Sequence, residues 1–411
     1  MKKVFITGLG VIFPGGENVE QLWQKLLGEP YDPVKGFAEF SDRINNRYIF
    51  SCSDTLPEFA QPQTTSDSLN QKAVGRSHQL ALGAVYQAIK DAALQPTDLR
   101  LAGLSVGTTM GDESALEDSR ETQAAAQQKI DTSEMDHTEA NALLQFPFEL
   151  SAMIAEQFKL FGPNLTISNA CTSGLYGIDL AAEKIRTGEA DIMLAGGVES
   201  SSRIVLSCFN RLGALDEGQC RPFDEARNGT VLGEGAAFVV LESAESVERR
   251  QATTYGEYKA SGWSCDAHQP TAPEPSGVQI ERALLQALND SGLRADDIDC
   301  ILPHGTGTPL NDALEAQVLN KIFASNENKP AVTAIKSRLG HSGGASGAFS
   351  VLVACLMLKH QLVPTTAHLK NLTDGFALPI PTQQPLQRDI NQVLVNAYAF
   401  GGNNISVVVG R

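Results

Sequence analysis

Three things are scarce in this chain of 411 residues, and each scarcity excludes something. No apolar run reaches the ~18 residues that a membrane-spanning helix needs, so no span is expected. Cysteine is sparse and scattered, with seven residues and no CxxC pair. An odd count without a framework excludes a disulfide scaffold and a structural zinc site, and points to a reducing compartment, the cytoplasm. Positive charge is in deficit, with 32 Lys and Arg against 48 Asp and Glu, a formal net charge of −16. That excludes non-specific nucleic-acid binding, which needs a cationic surface. An acidic partner would require a local basic patch. The opening Met1-Lys-Lys-Val-Phe-Ile-Thr-Gly reads as strand and turn, and lacks the apolar core and cleavage site of a secretory signal.

What is present is core-forming material. Apolar residues make up 42% and charged residues 19%, the composition of a globular protein. Length allows two or three domains, or one large α/β unit. Short apolar runs such as Val4–Thr7, Leu104–Gly107, Asp191–Ala195, Ala236–Glu242, Ile298–Leu302 and Val393–Tyr398 read as buried strands. Between them lie helical patterns at Gly75–Ala93, Ser114–Ile130, Leu150–Phe158, Gly277–Leu293, Asn311–Phe323 and Ala348–Leu358. Residues 29–70, rich in Pro, Asp, Ser and Thr, read as a long surface segment. Strands alternating with helices and buried on both faces argue an α/β fold. Both halves open with strand, glycine turn and helix, which hints at a duplicated unit. The charged stretch Ser243–Thr254 divides residues 1–245 from 246–411. Gly8-Leu-Gly10 is not a dinucleotide fingerprint, since the third glycine position holds Phe13.

Chemistry concentrates at three strand ends. Leu165-Thr-Ile-Ser is a strand, Cys171 follows within a few residues, and helical spacing begins by Leu175. Cys171 therefore sits at a helix N-terminus, where free N–H groups and the helix dipole favour a thiolate. A buried structural cysteine is the equally weighted alternative. His304 is followed by Gly-Thr-Gly-Thr308, and His341 is preceded by Lys336 and Gly340 and followed by Ser342-Gly-Gly344. Small residues let a ligand approach the backbone, and in α/β sheets ligands bind at strand ends. A thiol with two imidazoles suggests acyl transfer through a thioester, with the ring nitrogens stabilising an oxyanion. A Cys–His–carboxylate hydrolase is the rival.

Several motifs, in order along nearly the whole chain, resemble those of the elongating, type II β-ketoacyl-acyl carrier protein synthases. They are Lys3-Val-Phe-Ile-Thr-Gly-Leu-Gly, Ala170-Cys-Thr-Ser-Gly174, Arg221-Pro-Phe-Asp224, Val231-Leu-Gly-Glu-Gly235, His304-Gly-Thr-Gly-Thr-Pro-Leu-Asn-Asp312 with Glu315, Lys336-Ser-Arg-Leu-Gly-His341, and Phe400-Gly-Gly-Asn-Asn404. The resemblance implies a thiolase-like duplicated α-β-α-β-α layered fold. It implies a decarboxylative Claisen condensation, with Cys171 as the acylated nucleophile and His304 and His341 on the malonyl thioester. Lys336 would orient the second histidine, and Glu315 would hold the lysine in a buried ion pair. The N–H groups of Cys171 and Phe400 would form the oxyanion hole, with Phe400 also the gate between acyl tunnel and malonyl site. Thr271, Thr306 and Thr308 would meet phosphopantetheine, which arrives on the carrier protein, so the chain itself needs no cofactor or metal. The implied partners are an acidic acyl carrier protein and a second subunit, in a homodimer or a heterodimer with a cysteine-lacking chain-length partner. Asp191–Ala195 is the candidate cross-subunit edge. Lys72 and Arg76, then Arg203 and Arg211, are the candidate docking cations. Tyr176, a large residue just after the nucleophile, would narrow or polarise the acyl tunnel. The Asn403-Asn404 pair and Tyr176 depart from the common pattern and leave fatty-acid and polyketide or polyene pathways both open. A thiolase-type acyltransferase using coenzyme A, or a supporting subunit of a heterodimer, are the alternatives.

Overall fold

The computed structural model describes residues 2–40, 43–56, 75–112, 117 and 146–411. Its frame is one continuous mixed sheet of ten strands. In chain order these are β1 (Val4–Ile12), β2 (Gly103–Gly107), β3 (Asn164–Ile167), β4 (Ile192–Glu199), β5 (Gly235–Ser243), β6 (Gly256–Cys265), β7 (Cys300–Leu302), β8 (Ala331–Val332), β9 (Gln392–Tyr398) and β10 (Asn403–Gly410). They lie side by side as β8-β7-β9-β10-β6-β1-β5-β4-β2-β3. Read outward from its own first strand, each half has the same order, first-fifth-fourth-second-third. Each half also repeats the pairing: second with third and second with fourth parallel, the other two antiparallel. The halves join where β1 pairs antiparallel with β6, Val4 opposite Tyr258. The duplication hidden at residue level is thus plain in the topology.

Among the described residues, the helices that frame the site are α1 (Arg76–Asp91), α2 (Pro147–Phe158), α3 (Ser173–Arg186), α4 (Arg203–Arg211), α5 (Val278–Ser291), α6 (Pro309–Phe323) and α7 (Ser346–His360). α1 and α2 cover the outer face of the first half, and α5 and α6 that of the second. α3 and α7 pack on each other between the inner faces, which gives the α-β-α-β-α order of the thiolase fold. The sequence of α7 explains its place. It is apolar all round, with no polar stripe, and only Lys359 and His360 of its residues escape burial. The stretch Gly343–His360 has the length and hydropathy of a membrane span, but is 83% buried inside the protein.

Glycine lets the central helices meet. A Cβ on Gly347 would lie 2.6 Å from the Leu175 Cβ, and one on Gly174 would lie 2.6 Å from the Gly344 carbonyl oxygen. This crossing sets the N-terminal ends of α3 and α7 side by side. Cys171 precedes the one and His341 the other.

Two expectations are revised, two elements were not anticipated, and one expectation lies outside the described residues. Asp191–Ala195 is no edge: β4 is paired on both sides, by β2 and β5. The free edge of that half is β3, whose residues are exposed or half-buried. Residues 29–56 are not all surface. Tyr48–Phe50 is a strand pairing with Leu232–Gly233, and Ile49, Phe50 and Cys52 are buried. Strand β6 and helix α4 had no clear signature. β6 is a run of Gly, Ser and charged residues held between two neighbours, and α4 buries only Leu206 completely. The Ser114–Ile130 helix falls almost wholly outside the described residues.

Gly347→Ala tests the helix crossing. Alanine gains up to ~1 kcal/mol of helix propensity, whereas overpacking a close contact costs ~1–3 kcal/mol. A net loss of about 1–2 kcal/mol is expected in denaturant unfolding, and a variant more stable than the parent would refute the crossing as the constraint.

Candidate active site

Cys171 stands on a turn that its neighbours tie down. Ala170 adopts φ of 49°, the left-handed region that a β-carbon disfavours, at a cost of ~1 kcal/mol or more. Ser173 Oγ accepts from the Asn169 N–H and donates to the Ala170 carbonyl, both at 2.7 Å, and Thr172 Oγ1 donates to the Asn169 carbonyl at 2.7 Å. The thiol is 6% exposed. Burial pushes it up to about 11, while Lys336 and the backbone N–H groups of Cys171 and Phe400 pull it down and Glu199 pushes it further up. Burial therefore outweighs the helix N-terminus, and the resting group at neutral pH is the thiol. Burial thus acts against the thiolate that the helix N-terminus favours. The convergence of the Cys171 and Phe400 amides on one sulfur is nonetheless the geometry expected of an oxyanion hole.

His304 follows β7, and its peptide is gripped at both ends. Glu315, on α6, accepts the N–H of His304 at one carboxylate oxygen and that of Gly305 at the other, each at 2.8 Å. The Lys336 ammonium donates to the His304 carbonyl at 2.5 Å. No ion pair joins Lys336 to Glu315. Each carboxylate oxygen takes one backbone donor, and the two groups hold opposite ends of the His304 peptide. Lys336 does not touch the second histidine either: His341 Nδ1 is held by Ser346 Oγ at 2.9 Å, from the first turn of α7. The His341 backbone is fixed by the Val231 carbonyl at 2.7 Å and the Gly233 N–H at 3.0 Å.

The two imidazoles face each other edge to face, ring centroids 5.5 Å apart and planes at 85°. Burial, then Lys336, drives His341 down to about 3. Burial, then Lys336 and His341, drives His304 well below the ordinary histidine range. Both rings are neutral across physiological pH, suited to donate a hydrogen bond and unsuited to carry charge. Burial raises the Glu315 and Glu199 carboxyls to about 7, against the backbone N–H groups that pull each down.

Two cavities open onto this set, and Cys171, Phe209, His341 and Phe400 line both. The first, about 250 Å³, is walled mainly by Phe37, Ile49, Ile204, Val205, Leu232 and Met110. The second, about 400 Å³, is more polar and is lined by His304, Thr271, Thr306, Thr308 and Tyr398. The Phe400 ring lies against Phe209, centroids 5.6 Å apart. The Thr306 and Thr308 hydroxyls are 2.8 Å apart.

Not every anticipated residue is in the site. Tyr176 lines neither cavity. Its hydroxyl donates to the Asn404 carbonyl at 3.2 Å and its ring meets Trp263 of β6 edge-on at 4.6 Å, so it joins α3 to β6 and to the turn end of the β9–β10 hairpin. Arg76 is tied to Glu234 at 2.9 Å and to the carbonyls of Cys52 and Ser53, and Arg203 to Glu117 at 3.0 Å. Both are committed to the protein's own carboxylates and are poor docking cations. Lys72 lies outside the described residues. Arg211 is exposed at the end of α4, beside Leu212 at the mouth of both cavities, and makes no ion pair among the described residues. Sequence reasoning overlooked Glu199, which lines the first cavity and accepts N–H bonds from Gly344 (2.7 Å) and Thr109 (3.1 Å). Its signal was a carboxylate at the end of an apolar strand. Ser346 and Tyr398 were likewise passed over.

Comparison with known proteins identifies the family. The model of the β-ketoacyl synthase N-terminal domain matches residues 1–246, and that of the C-terminal domain residues 255–370. The chain belongs to the β-ketoacyl synthase family, whose members are condensing acyltransferases. It is 32% identical to a 3-oxoacyl-[acyl-carrier-protein] synthase 2 of Coxiella burnetii, covering 100% of this chain and 99% of that one. It is 31% identical to a putative polyketide β-ketoacyl synthase 1 of Streptomyces halstedii, over 99% and 98% of the two chains. Among solved structures, the ishigamide ketosynthase/chain length factor superposes with a TM-score of 0.88 at 32% identity, covering 100% and 99%.

The pH dependence of thiol alkylation checks the electrostatics. With the exposed Cys208 and Cys265 replaced by Ser, Cys171 should react with iodoacetamide about 100-fold faster at pH 9 than at pH 7, as its thiolate fraction rises about tenfold per unit. A plateau reached below pH 8 would contradict a thiol raised by burial.

Proposed function

We propose that this chain extends acyl chains by decarboxylative Claisen condensation on a carrier protein. What carries the reading is one juxtaposition: a thiol that receives two backbone N–H groups lies where an apolar cavity meets a polar one holding two neutral imidazoles. The Cys171 sulfur, once deprotonated, attacks the acyl thioester. The carbonyl oxygen gains negative charge beside the Cys171 and Phe400 amides, and the carrier's phosphopantetheine thiolate leaves and takes up a proton. The acyl chain then lies in the apolar cavity. Malonyl carrier protein enters the second cavity, its arm passing Thr271, Thr306 and Thr308. His304 and His341 donate to the malonyl thioester oxygen. The carboxylate departs as carbon dioxide and its bonding pair becomes the enolate. The enolate carbon attacks the acyl–Cys171 carbon, and the Cys171 thiolate leaves and is reprotonated. The product is a β-ketoacyl-carrier protein two carbons longer.

Neutral rings favour this assignment, because an imidazolium would hold the malonyl carboxylate in place instead of letting it lose carbon dioxide. Lys336 and Glu315 act as positioning groups on the His304 peptide, and Phe400 as the partition between cavities. Free cysteines throughout the described residues favour a cytoplasmic site of action. The coenzyme A thiolase alternative wants a second cysteine near the end of the chain, and Ala399-Phe400-Gly401-Gly402 has none. A purely supporting subunit would not keep Cys171. We take the chain as one subunit of a dimer, with β3 as the edge available to a partner. Similarity to a ketosynthase/chain length factor favours a heterodimer as strongly as a homodimer. Arg211 is the described docking cation best placed for an acidic carrier.

Three measurements test this. Cys171→Ala should abolish acyl-enzyme formation with the fold intact, whereas continued elongation would sink the reading. His304→Ala and His341→Ala should each slow malonyl decarboxylation ~100- to 1000-fold and leave Cys171 acylation within a few-fold. Equal damage to both steps would make the histidines structural. Size-exclusion chromatography tests the assembly, since an active monomer is incompatible with it.

A further inference from the structure

Two buried polar atoms at the malonyl end of the site have no hydrogen-bond partner, His304 Nδ1 and the Tyr398 hydroxyl oxygen. They belong to neighbouring side chains: the rings are 5.7 Å apart, at 58°. Tyr398 is the last residue of β9, 5% exposed, and lines the second cavity with His304 and His341. Unpaired buried groups are rare in native proteins, and two adjacent ones of complementary kind call for a reason.

The chemistry of the pair is one-sided. His304 is neutral, so one ring nitrogen carries the proton and the other is an acceptor. Donation to a substrate oxygen requires the proton on Nε2, which leaves Nδ1 as a lone pair in need of a donor. The groups facing the phenol are the His304 ring and the carboxylates of Glu315 and Asp266. Each Glu315 oxygen already accepts a backbone N–H, and the Asp266 oxygens accept from Asn404 (2.7 Å) and the Glu274 N–H (3.0 Å). Nδ1 is the acceptor left without a donor. Burial, then Glu315 by its charge and its proximity, keeps the phenol protonated, so its hydrogen is available to an acceptor, and Glu315, already served by two backbone N–H groups, competes with Nδ1 for it.

We propose that Tyr398 is a positioning residue for the condensation: its hydroxyl donates to His304 Nδ1 and keeps the ring proton on Nε2, facing the malonyl thioester. Ser346 plays the equivalent part for His341, so each imidazole is set by its own hydroxyl. This rests on the function proposed above, and goes beyond it by assigning the group that fixes the His304 tautomer.

Tyr398→Phe removes the hydroxyl and keeps the ring. With ¹⁵N-histidine labelling, His304 in the parent should show a protonated Nε2 and an Nδ1 resonance shifted by an accepted hydrogen bond. The variant should lose that shift or populate the other tautomer. Malonyl decarboxylation should fall about 10-fold, the upper range for one neutral hydrogen bond, with KM for malonyl carrier protein and Cys171 acylation within 2-fold. If the phenol is a mere orphan, the variant melts higher, decarboxylates at the parental rate and leaves the His304 resonances in place; any unchanged His304 spectrum overturns the proposal. A parent that acylates but never decarboxylates refutes the condensation reading alone, because the tautomer is read without turnover.

Discussion

The site depends on how the peptide at residue 304 is held. Its N–H and the next one are taken by a single buried carboxylate, and its carbonyl by a buried ammonium. Three charge-assisted bonds on consecutive backbone groups leave that segment one position to occupy. The arrangement is costly, since neither Glu315 nor Lys336 reaches water and they do not contact each other. Removing either would strand a charge in the core, at a cost of ~3–5 kcal/mol. Such a group is tolerated where geometry matters more than stability.

The same lysine governs the electrostatics around it. Its positive charge disfavours protonation of both histidines and favours ionisation of Cys171. One buried cation thus pushes three groups in the directions that condensation needs: rings neutral, sulfur more acidic. Burial opposes it at the sulfur and reinforces it at the rings. Hence the imidazoles are settled in their working state, while the thiol waits for substrate to complete its environment.

How much of this was legible depended on the range of the signal. Cys171, His304 and His341 each follow a strand and precede small residues, a local pattern that a sequence displays. The all-apolar α7 announced a central helix in the same way. β6 did not, because Gly256, Gly262, two serines and two charges interrupt Tyr258 and Trp263, and the strand is held by neighbours far away in sequence. The lysine–carboxylate relation was misjudged for a similar reason: two charges of opposite sign suggest a pair, and only the fold reveals that the His304 peptide stands between them. Tyr176 was assigned to the tunnel from its distance to Cys171 along the chain. A helix turns 100° per residue, however, and position 176 points away from the face that Cys171 begins.

Net charge and local charge also part company here. A chain at −16 would repel an acidic carrier at long range, but screening confines that repulsion to about 8 Å at physiological salt. What remains is the potential at the cavity mouth. Arg76 and Arg203 are neutralised by Glu234 and Glu117 and contribute nothing there. Arg211, next to the rim residues Leu212 and Gly213, is exposed and makes no ion pair among the described residues. An exposed cation at a rim chiefly raises the association rate, so under the docking proposed above an acidic body is compatible with attraction supplied locally by Arg211.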